Sequence, residues 1–126
     1  SFLGNVNIFE GHLENGKLVS GAAAFPIPYV DKKETGQVYG YVRPHELVLT
    51  REHSPTQSLE AAIVHVHHIG RTVNMELKRN DTGQILEAEI TREEFNSLNV
   101  RVGDIVFVIP EHIHIFQNEK TGAESL

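Results

Sequence analysis

The sequence predicts an all-β domain, a small barrel or sandwich with one brief helix. Short apolar stretches recur at close spacing through the 126 residues, and glycine, proline or an asparagine–glycine pair separates most of them. Two of these stretches alternate apolar and polar side chains, as strands with one buried face do. A chain of this length is enough for one domain with a single hydrophobic core.

The first half of the chain, about residues 5–50, is predicted to hold four strand segments. They are residues 5–13, 18–19, 22–25 and 38–49. Asn15-Gly16 makes a hairpin between the first two segments, because both turn positions must tolerate a positive φ. Gly11 is expected to break the first strand, and Pro44 to interrupt the last because proline cannot donate a ladder hydrogen bond.

The second half, about residues 59–116, shows a clearer alternation. Its predicted strands are residues 61–69, 72–78, 86–90, 105–109 and 111–116. Every second residue from Val73 to Leu77 is predicted to face the core, and Gly70 allows a bulge or bend before them. Thr91 and Glu94 have the spacing of a capping box, which predicts a helix of one or two turns.

The two halves are predicted to form a single domain over residues 1–118. A non-periodic loop, residues 51–58, joins them. The polar end of the chain, residues 119–126, is expected to be a flexible tail.

The composition argues against several classes of protein. The net charge is −6 and the 11 lysines and arginines are scattered, whereas a nucleic-acid-binding surface shows a basic stripe. No stretch approaches the roughly 18 apolar residues of a membrane-spanning helix. The chain has no cysteine, which removes disulfides, thiolate zinc sites and cysteine nucleophiles.

Catalytic motifs have little support. Gly11 to Lys17 reproduces the spacing of a phosphate-binding loop, but Leu18 stands where the magnesium-holding hydroxyl belongs, and a strand follows instead of a helix. The serines have no nucleophile-elbow context, and Glu93 and Glu94 diverge on a short helix. The chain itself is therefore not expected to be an enzyme.

Eight histidines are the most unusual feature of the composition. His65 and His67 lie two residues apart in one predicted strand, and His112 and His114 repeat that spacing in the last one. Two such pairs on neighbouring strands could offer four imidazole nitrogens to zinc or nickel. Histidines on a solvated strand face explain the pattern without a metal, and this second interpretation is preferred.

Several motifs along the chain together resemble one family. Phe2-Leu3-Gly4-Asn5-Val6-Asn7, with Gly11 after it, is similar to the point where ATP-binding subunits of bacterial ABC importers leave their nucleotide-binding domain. Tyr41-Val42-Arg43-Pro44-His45-Glu46-Leu47 resembles a segment found farther along those subunits. Residues 62–70, 73–77 and 98–110 resemble the TOBE (transport-associated oligonucleotide-binding-like) module. The form Arg43-Pro44-His45-Glu46-Leu47, with Leu49-Thr50-Arg51 after it, makes the match most similar to the sulfate/thiosulfate importer branch.

This resemblance spans roughly residues 2–116 and implies a fold and a role. The fold would be an OB-fold-like small β-barrel of TOBE type. The chain would be the non-catalytic C-terminal regulatory and dimerisation domain of an ATP-binding subunit that couples ATP hydrolysis to sulfate uptake. ATP and magnesium would bind in a domain that this chain does not contain, so no cofactor is expected here.

The resemblance also implies partners and a location. The partners would be a second copy of the subunit, the membrane permease subunits and a sulfate-type oxyanion, with no nucleic acid among them. The subunit would lie on the cytoplasmic side of the bacterial inner membrane, held there through the importer complex.

Arg43 and His45 are the candidates for contact with an oxyanion, although the resemblance secures no ligand residue. Arg43 is the best local donor, because its planar fork suits a tetrahedral oxyanion as well as a carboxylate. An ion pair with an acidic neighbour is the preferred role for Arg43. Pro44 is expected to hold Arg43 in an extended conformation at a strand end.

A stand-alone barrel that binds a small oxyanion or a metal is the alternative function. The start at Ser1, in the middle of the first motif and without a methionine, favours instead a domain excised from a longer subunit.

Overall fold

A computed structural model of the chain describes residues 5–54 and 57–117 and confirms the all-β class. Its strands are β1 (Asn7–Glu14), β2 (Lys17–Ser20), β3 (Ala23–Pro26), β4 (Gly36–Val42), β5 (Leu47–Thr50), β6 (Leu59–Ile69), β7 (Thr72–Arg79), β8 (Ile85–Thr91), β9 (Ile105–Pro110) and β10 (His114–Phe116). One helix, α1 (Arg92–Leu98), follows β8 within this part of the chain. The predicted tail, residues 119–126, lies outside the described residues.

The strands form two antiparallel sheets of five strands each. The N-terminal sheet has the order β10-β4-β1-β2-β3, and the C-terminal sheet has the order β5-β9-β6-β7-β8. Each half of the chain therefore gives one edge strand to the other half's sheet. Buried apolar side chains of both sheets join in one core cluster.

The first strand of the N-terminal sheet corrects one prediction. Gly11 does not break β1, because it pairs with Val38 inside a continuous ladder. A Cβ on Gly11 would lie 2.0 Å from the carbonyl oxygen of Val19 in β2. Glycine is required here by the close approach of two backbones.

Two turn predictions for the N-terminal half are confirmed. Asn15 and Gly16 turn the β1–β2 hairpin with φ values of 55° and 78°, as the primed hairpin turns require. Pro44 separates β4 from β5 by starting a 3₁₀ turn, Pro44–Glu46. Arg43 before it is extended, with φ −73° and ψ 156°.

The C-terminal sheet confirms the predicted alternation in β7 and β8, where every second side chain is buried. The capping box is confirmed as well. The Thr91 hydroxyl accepts from the Glu94 N–H at 3.0 Å, and the Glu94 carboxylate accepts from the Thr91 N–H at 2.8 Å.

A bulge in β6 changes which side chains face the core. The register with β7 shifts between Ile63 and His65, which leaves Val64 as the extra residue. Gly70 instead lies in the tight turn between β6 and β7, with a φ of 59°. Because the bulge moves the alternation by one residue, Val66 packs against the core and His67 is exposed.

Candidate functional site

The predicted oxyanion candidates Arg43 and His45 lie at the crossover between the two sheets. The Arg43 N–H donates to the Glu46 carboxylate at 2.9 Å, and the Arg43 carbonyl accepts from the Glu46 N–H at 2.9 Å. The return crossover runs beside this turn, since the Glu111 N–H donates to the Glu46 carbonyl at 2.8 Å. Both passages of the chain between the sheets therefore meet at one point.

A groove of about 530 Å³ opens beside this turn, between the edge strands β5 and β8 and against α1. We call it the acidic groove. Its lining residues are His45, Leu47, Val48, Leu49, Thr50, Glu89, Ile90, Glu93, Glu94, Ser97, Leu98 and Glu111. This set contains four carboxylates and no lysine or arginine, and the neighbouring Arg51 donates to the Leu98 carbonyl at 3.3 Å. The excess of carboxylates disfavours an oxyanion in the groove near His45.

A second groove, of about 320 Å³, lies over the outer face of the C-terminal sheet. The rings of His65 and His67 are in contact there, with centroids 4.2 Å apart and ring planes tilted by 52°. Cross-strand pairing places Glu76 opposite His65 and Asn74 opposite His67. Their spacing puts both rings on one face of β6, and the bulge at Val64 makes that face the outer one.

The structure does not bring His112 and His114 to these two histidines. The prediction that both lie in the last strand is wrong for His112, which precedes β10 and has a φ of 57°. His114 lies in the N-terminal sheet, where its ring stacks on Tyr41 with centroids 5.0 Å apart. Within residues 5–54 and 57–117, no three His, Cys, Asp or Glu side chains are grouped to hold a metal ion.

Arg79 is the charged residue that the sequence analysis missed. It ends β7 and is only 2% exposed. All five of its N–H donors are used: two on the Asp81 carboxylate, two on the hydroxyl and carbonyl of Ser20, and one on Gln84. Its guanidinium carbon also lies 5.6 Å from the centroid of the Phe9 ring.

These contacts make Arg79 a clamp between the sheets, because Ser20 and Phe9 belong to the N-terminal sheet. No donor is left for an external anion. A signal for this residue exists in the sequence: Arg79 continues the period of two that runs through Val73 and Leu77, and so points to the buried face.

Asp81 completes the clamp and carries a shifted pKa. Burial raises the pKa of this carboxyl, but the hydrogen bond and charge of Arg79 and the backbone N–H groups of Ala22 and Thr82 outweigh it. The resulting pKa is about 2, below the ordinary 3.8. Asp81 therefore stays ionised and paired at neutral pH.

Two family models match the chain, one over each half. The model of the CysA C-terminal regulatory domain matches residues 7–49, and a model of the TOBE-like domain matches residues 54–111. The first match covers β1 to β5, and the second covers β6 to β9 with α1. The two matches meet in the loop that joins the halves.

Curated relatives that match the chain carry the name sulfate/thiosulfate import ATP-binding protein CysA. The relative from Bacillus cereus is 40% identical over 117 residues, which are 91% of this chain and 32% of the relative. The relative from Nitrosomonas europaea is 35% identical over 119 residues, which are 93% of this chain and 33% of the relative. The chain thus spans about a third of the length of these relatives.

A solved structure shares the fold. The crystal structure of the cytoplasmic molybdate-binding protein ModG, with molybdate bound, superposes with a TM-score of 0.69 at 12% identity. The match covers 89% of this chain and 96% of the ModG chain. At this identity the likeness shows the fold alone.

Among the described residues, no helix combines the length and the apolar character that crossing a bilayer requires.

Proposed function

Because the chain belongs to the family of C-terminal regulatory domains of sulfate/thiosulfate import ATP-binding proteins, we propose that it is the non-catalytic regulatory and dimerisation domain of such a subunit. The observation that carries this proposal is the ordered pair of family matches, which together take in residues 7–49 and 54–111. The matched regulatory domain is not the nucleotide-binding domain, so the ATPase activity belongs to another part of the subunit.

The setting of the domain follows from the names of the relatives. The parent subunit would hydrolyse ATP to drive sulfate uptake, as one of two copies in an importer with membrane permease subunits. It would then lie on the cytoplasmic side of the inner membrane through those subunits. Two-fold symmetry of the ATPase pair brings two regulatory domains near each other, which is the basis for the proposed dimerisation.

The experiment is an exchange of domains. The matching C-terminal third of the Bacillus cereus relative is replaced by this chain, and sulfate uptake is measured in cells without an importer of their own. We expect the hybrid to restore sulfate uptake. The hybrid with Arg79→Ala, which breaks the clamp, should not restore it. Arg92→Ala, a change at an exposed arginine, is the matched control and should retain uptake.

A hybrid that accumulates, hydrolyses ATP and still transports no sulfate would count against the proposal. Dimerisation is tested separately by sedimentation of the purified hybrid subunit over a range of concentrations. We expect the hybrid to dimerise more tightly than a subunit truncated before this domain. Equal association of the two proteins would remove dimerisation from the proposal.

Oxyanion binding is a second candidate function, favoured by the fold shared with a protein named for molybdate binding. Arg43 at the crossover is its candidate ligand, and the carboxylates beside His45 oppose it. We expect Arg43 to act structurally, so that Arg43→Ala lowers the free energy of unfolding by about 1–3 kcal/mol and sulfate does not restore it.

Calorimetric titration of the chain with sulfate, molybdate and zinc, together with melting curves in sulfate, separates the two candidate functions. If sulfate raises the melting temperature of the unaltered chain but not that of Arg43→Ala, Arg43 is an oxyanion ligand. If zinc binds and His65→Ala abolishes that binding, the alternative of a metal-binding barrel gains support.

A further inference from the structure

We propose that the acidic groove between β5 and β8 binds an extended, basic segment of a partner protein as an added strand. The proposal assigns a class of partner to this domain. Only the identity of that partner depends on the proposed function. Three features carry the proposal: backbone groups of β5 and of Glu89 in β8 that no described residue bonds, an apolar lining and a rim of carboxylates.

β5 turns half of its backbone groups into the groove. The Glu46 carbonyl, which precedes β5, is bonded to the Glu111 N–H on the β9 side. In an antiparallel ladder, alternate residues point their N–H and C=O groups to the same side. Leu47 and Leu49 therefore direct theirs away from β9, toward the groove.

β8 faces the groove from the other side, and its outer edge is partly covered. The Asn7 amide donates to the Glu87 carbonyl at 2.9 Å and accepts from the Glu87 N–H at 2.8 Å. Thr91 is covered by the Glu94 carboxylate. Glu89 lies between these two positions and points its backbone groups to the same side, where it is open to a new strand.

Apolar side chains line the groove where a strand would lie. Val48 is 40% exposed, and Leu49 and Leu98 are half-buried. Exposed apolar side chains on an edge strand are the feature that recruits an added strand, since the new strand satisfies the edge and covers the side chains. Four residues of β5 extend about 13 Å, so the groove admits a segment of about four or five residues.

The negative charge along the groove favours a basic segment as its occupant. Glu89, Glu93 and Glu111 lie along the groove with no lysine or arginine among the described lining residues. A second copy of this chain carries a net charge of −6, so the carboxylates of this groove disfavour it as the occupant; the proposed dimerisation would use another surface. The chain's own residues 118–126 contain two glutamates and one lysine, and so do not match the rim either. A lysine- or arginine-bearing segment of another protein does.

The test uses a capped peptide of about six residues that alternates valine and lysine, titrated into the isotope-labelled chain and followed by NMR. We expect saturable shifts in β5, β8 and α1, a weaker affinity at high salt, and no binding of the matching valine–glutamate peptide. Equal binding of both peptides, or shifts spread over the whole surface, would overturn the proposal.

Two variants locate the site. Glu93→Lys on the groove should weaken binding at least about tenfold, whereas Glu34→Lys, the same change on an exposed loop, should change it less than about twofold. Val48→Lys should also weaken binding, because it replaces an exposed apolar side chain of β5 with a positive charge that repels the basic peptide. Melting curves of the three variants verify that each is folded before it is scored.

Equal weakening by Glu93→Lys and Glu34→Lys would show attraction to net charge only and reject the groove. If labelled residues 118–126 shift together with β5 as the peptide binds, the chain's own end occupies the groove and the proposal fails. Neither result affects the uptake of sulfate by the hybrid importer, so the proposed function is judged independently.

Discussion

In the N-terminal sheet, one side chain covers the edge of β10, whereas in the C-terminal sheet the edge of β8 is covered at Glu87 and open at Glu89. The Tyr29 hydroxyl donates to the Ile113 carbonyl at 2.8 Å and accepts from the Ile115 N–H at 2.9 Å. Tyr29 thus takes the place of a neighbouring strand. The β10 edge is therefore bonded on both sides of His114, whereas the β8 edge keeps room for an added strand at Glu89.

The two sheets also differ in what fixes their shape. The C-terminal sheet follows a period of two in β7 and β8, so burial of alternate side chains sets its register. The N-terminal sheet depends on backbone contact at Gly11 and on Gly40, where a Cβ would lie 2.7 Å from Leu18. Side-chain burial thus shapes the C-terminal sheet, whereas the absence of side chains at two glycines shapes the N-terminal sheet.

Removing the clamp between the sheets should have the largest effect. Arg79→Ala leaves Asp81 and Ser20 without their buried donor, and we expect the free energy of unfolding to fall by about 4 kcal/mol. Urea denaturation measures it. Arg92→Ala, whose side chain bonds the Gly70 carbonyl at the surface, should cost less than about 1 kcal/mol. Similar losses in the two variants would mean that Arg79 does not join the sheets.

The next largest effect is expected from adding a methyl group at a glycine, which should lower stability more in the N-terminal sheet than in the C-terminal sheet. Gly11→Ala in the N-terminal sheet places a Cβ against the β2 backbone, and we expect a loss of about 3 kcal/mol. Gly70→Ala in the C-terminal sheet meets no atom within 4 Å and bears only the strain of its positive φ, about 1 kcal/mol. Thermal denaturation of both variants tests the order, which would be reversed if β2 could move away.

Removing the Asn7 side chain from the β8 edge should lower the free energy of unfolding by about 2 kcal/mol. Asn7→Ala removes both bonds to Glu87 and leaves partly buried backbone groups unpaired. Asn74→Ala, at an exposed position of β7, is the matched control and should change stability little. Hydrogen exchange at Glu87 gives a local readout, and unchanged protection there would contradict the role of Asn7.

Acid should weaken the same clamp. The pKa of Asp81 is about 2 in the folded chain and 3.8 ordinarily, so its contribution is present above about pH 4 and is lost as the pH falls toward 2. We expect this loss to be about 1–2 kcal/mol. The comparison of unfolding free energies at pH 5 and pH 2 for the unaltered chain and Asp81→Asn isolates it, since the variant lacks the titrating group.

The smallest effect is expected at the closed edge. Tyr29→Phe removes the hydroxyl that bonds both Ile113 and Ile115, and because Tyr29 is 63% exposed, water replaces those bonds at a cost of about 1 kcal/mol. Tyr41→Phe, in the adjacent β4, serves as the comparison. Faster hydrogen exchange at Ile115 in Tyr29→Phe alone is the expected sign, and its absence would remove Tyr29 as the cover of this edge.

The sequence by itself determined the local features of this protein. Asn15-Gly16, Pro44 and the Thr91–Glu94 capping box act through bonds between near neighbours, and the alternation in β7 depends only on which face is apolar. That Leu18 stands where a phosphate-binding loop needs a hydroxyl was also readable, because the motif asks for one residue type at one fixed spacing.

Only the tertiary structure decided how the halves combine. Periodicity shows which face of a strand is buried but not which strand lies beside it, so the exchange of β5 and β10 between the sheets was not predictable. The turn at His112 and the pairing of His114 with Tyr41 in the N-terminal sheet likewise depend on distant partners, and they separate these two histidines from His65 and His67. Arg79 could be assigned to the buried face, yet two of its five acceptors are on Ser20 of the other sheet, and only folding brings Ser20 to it.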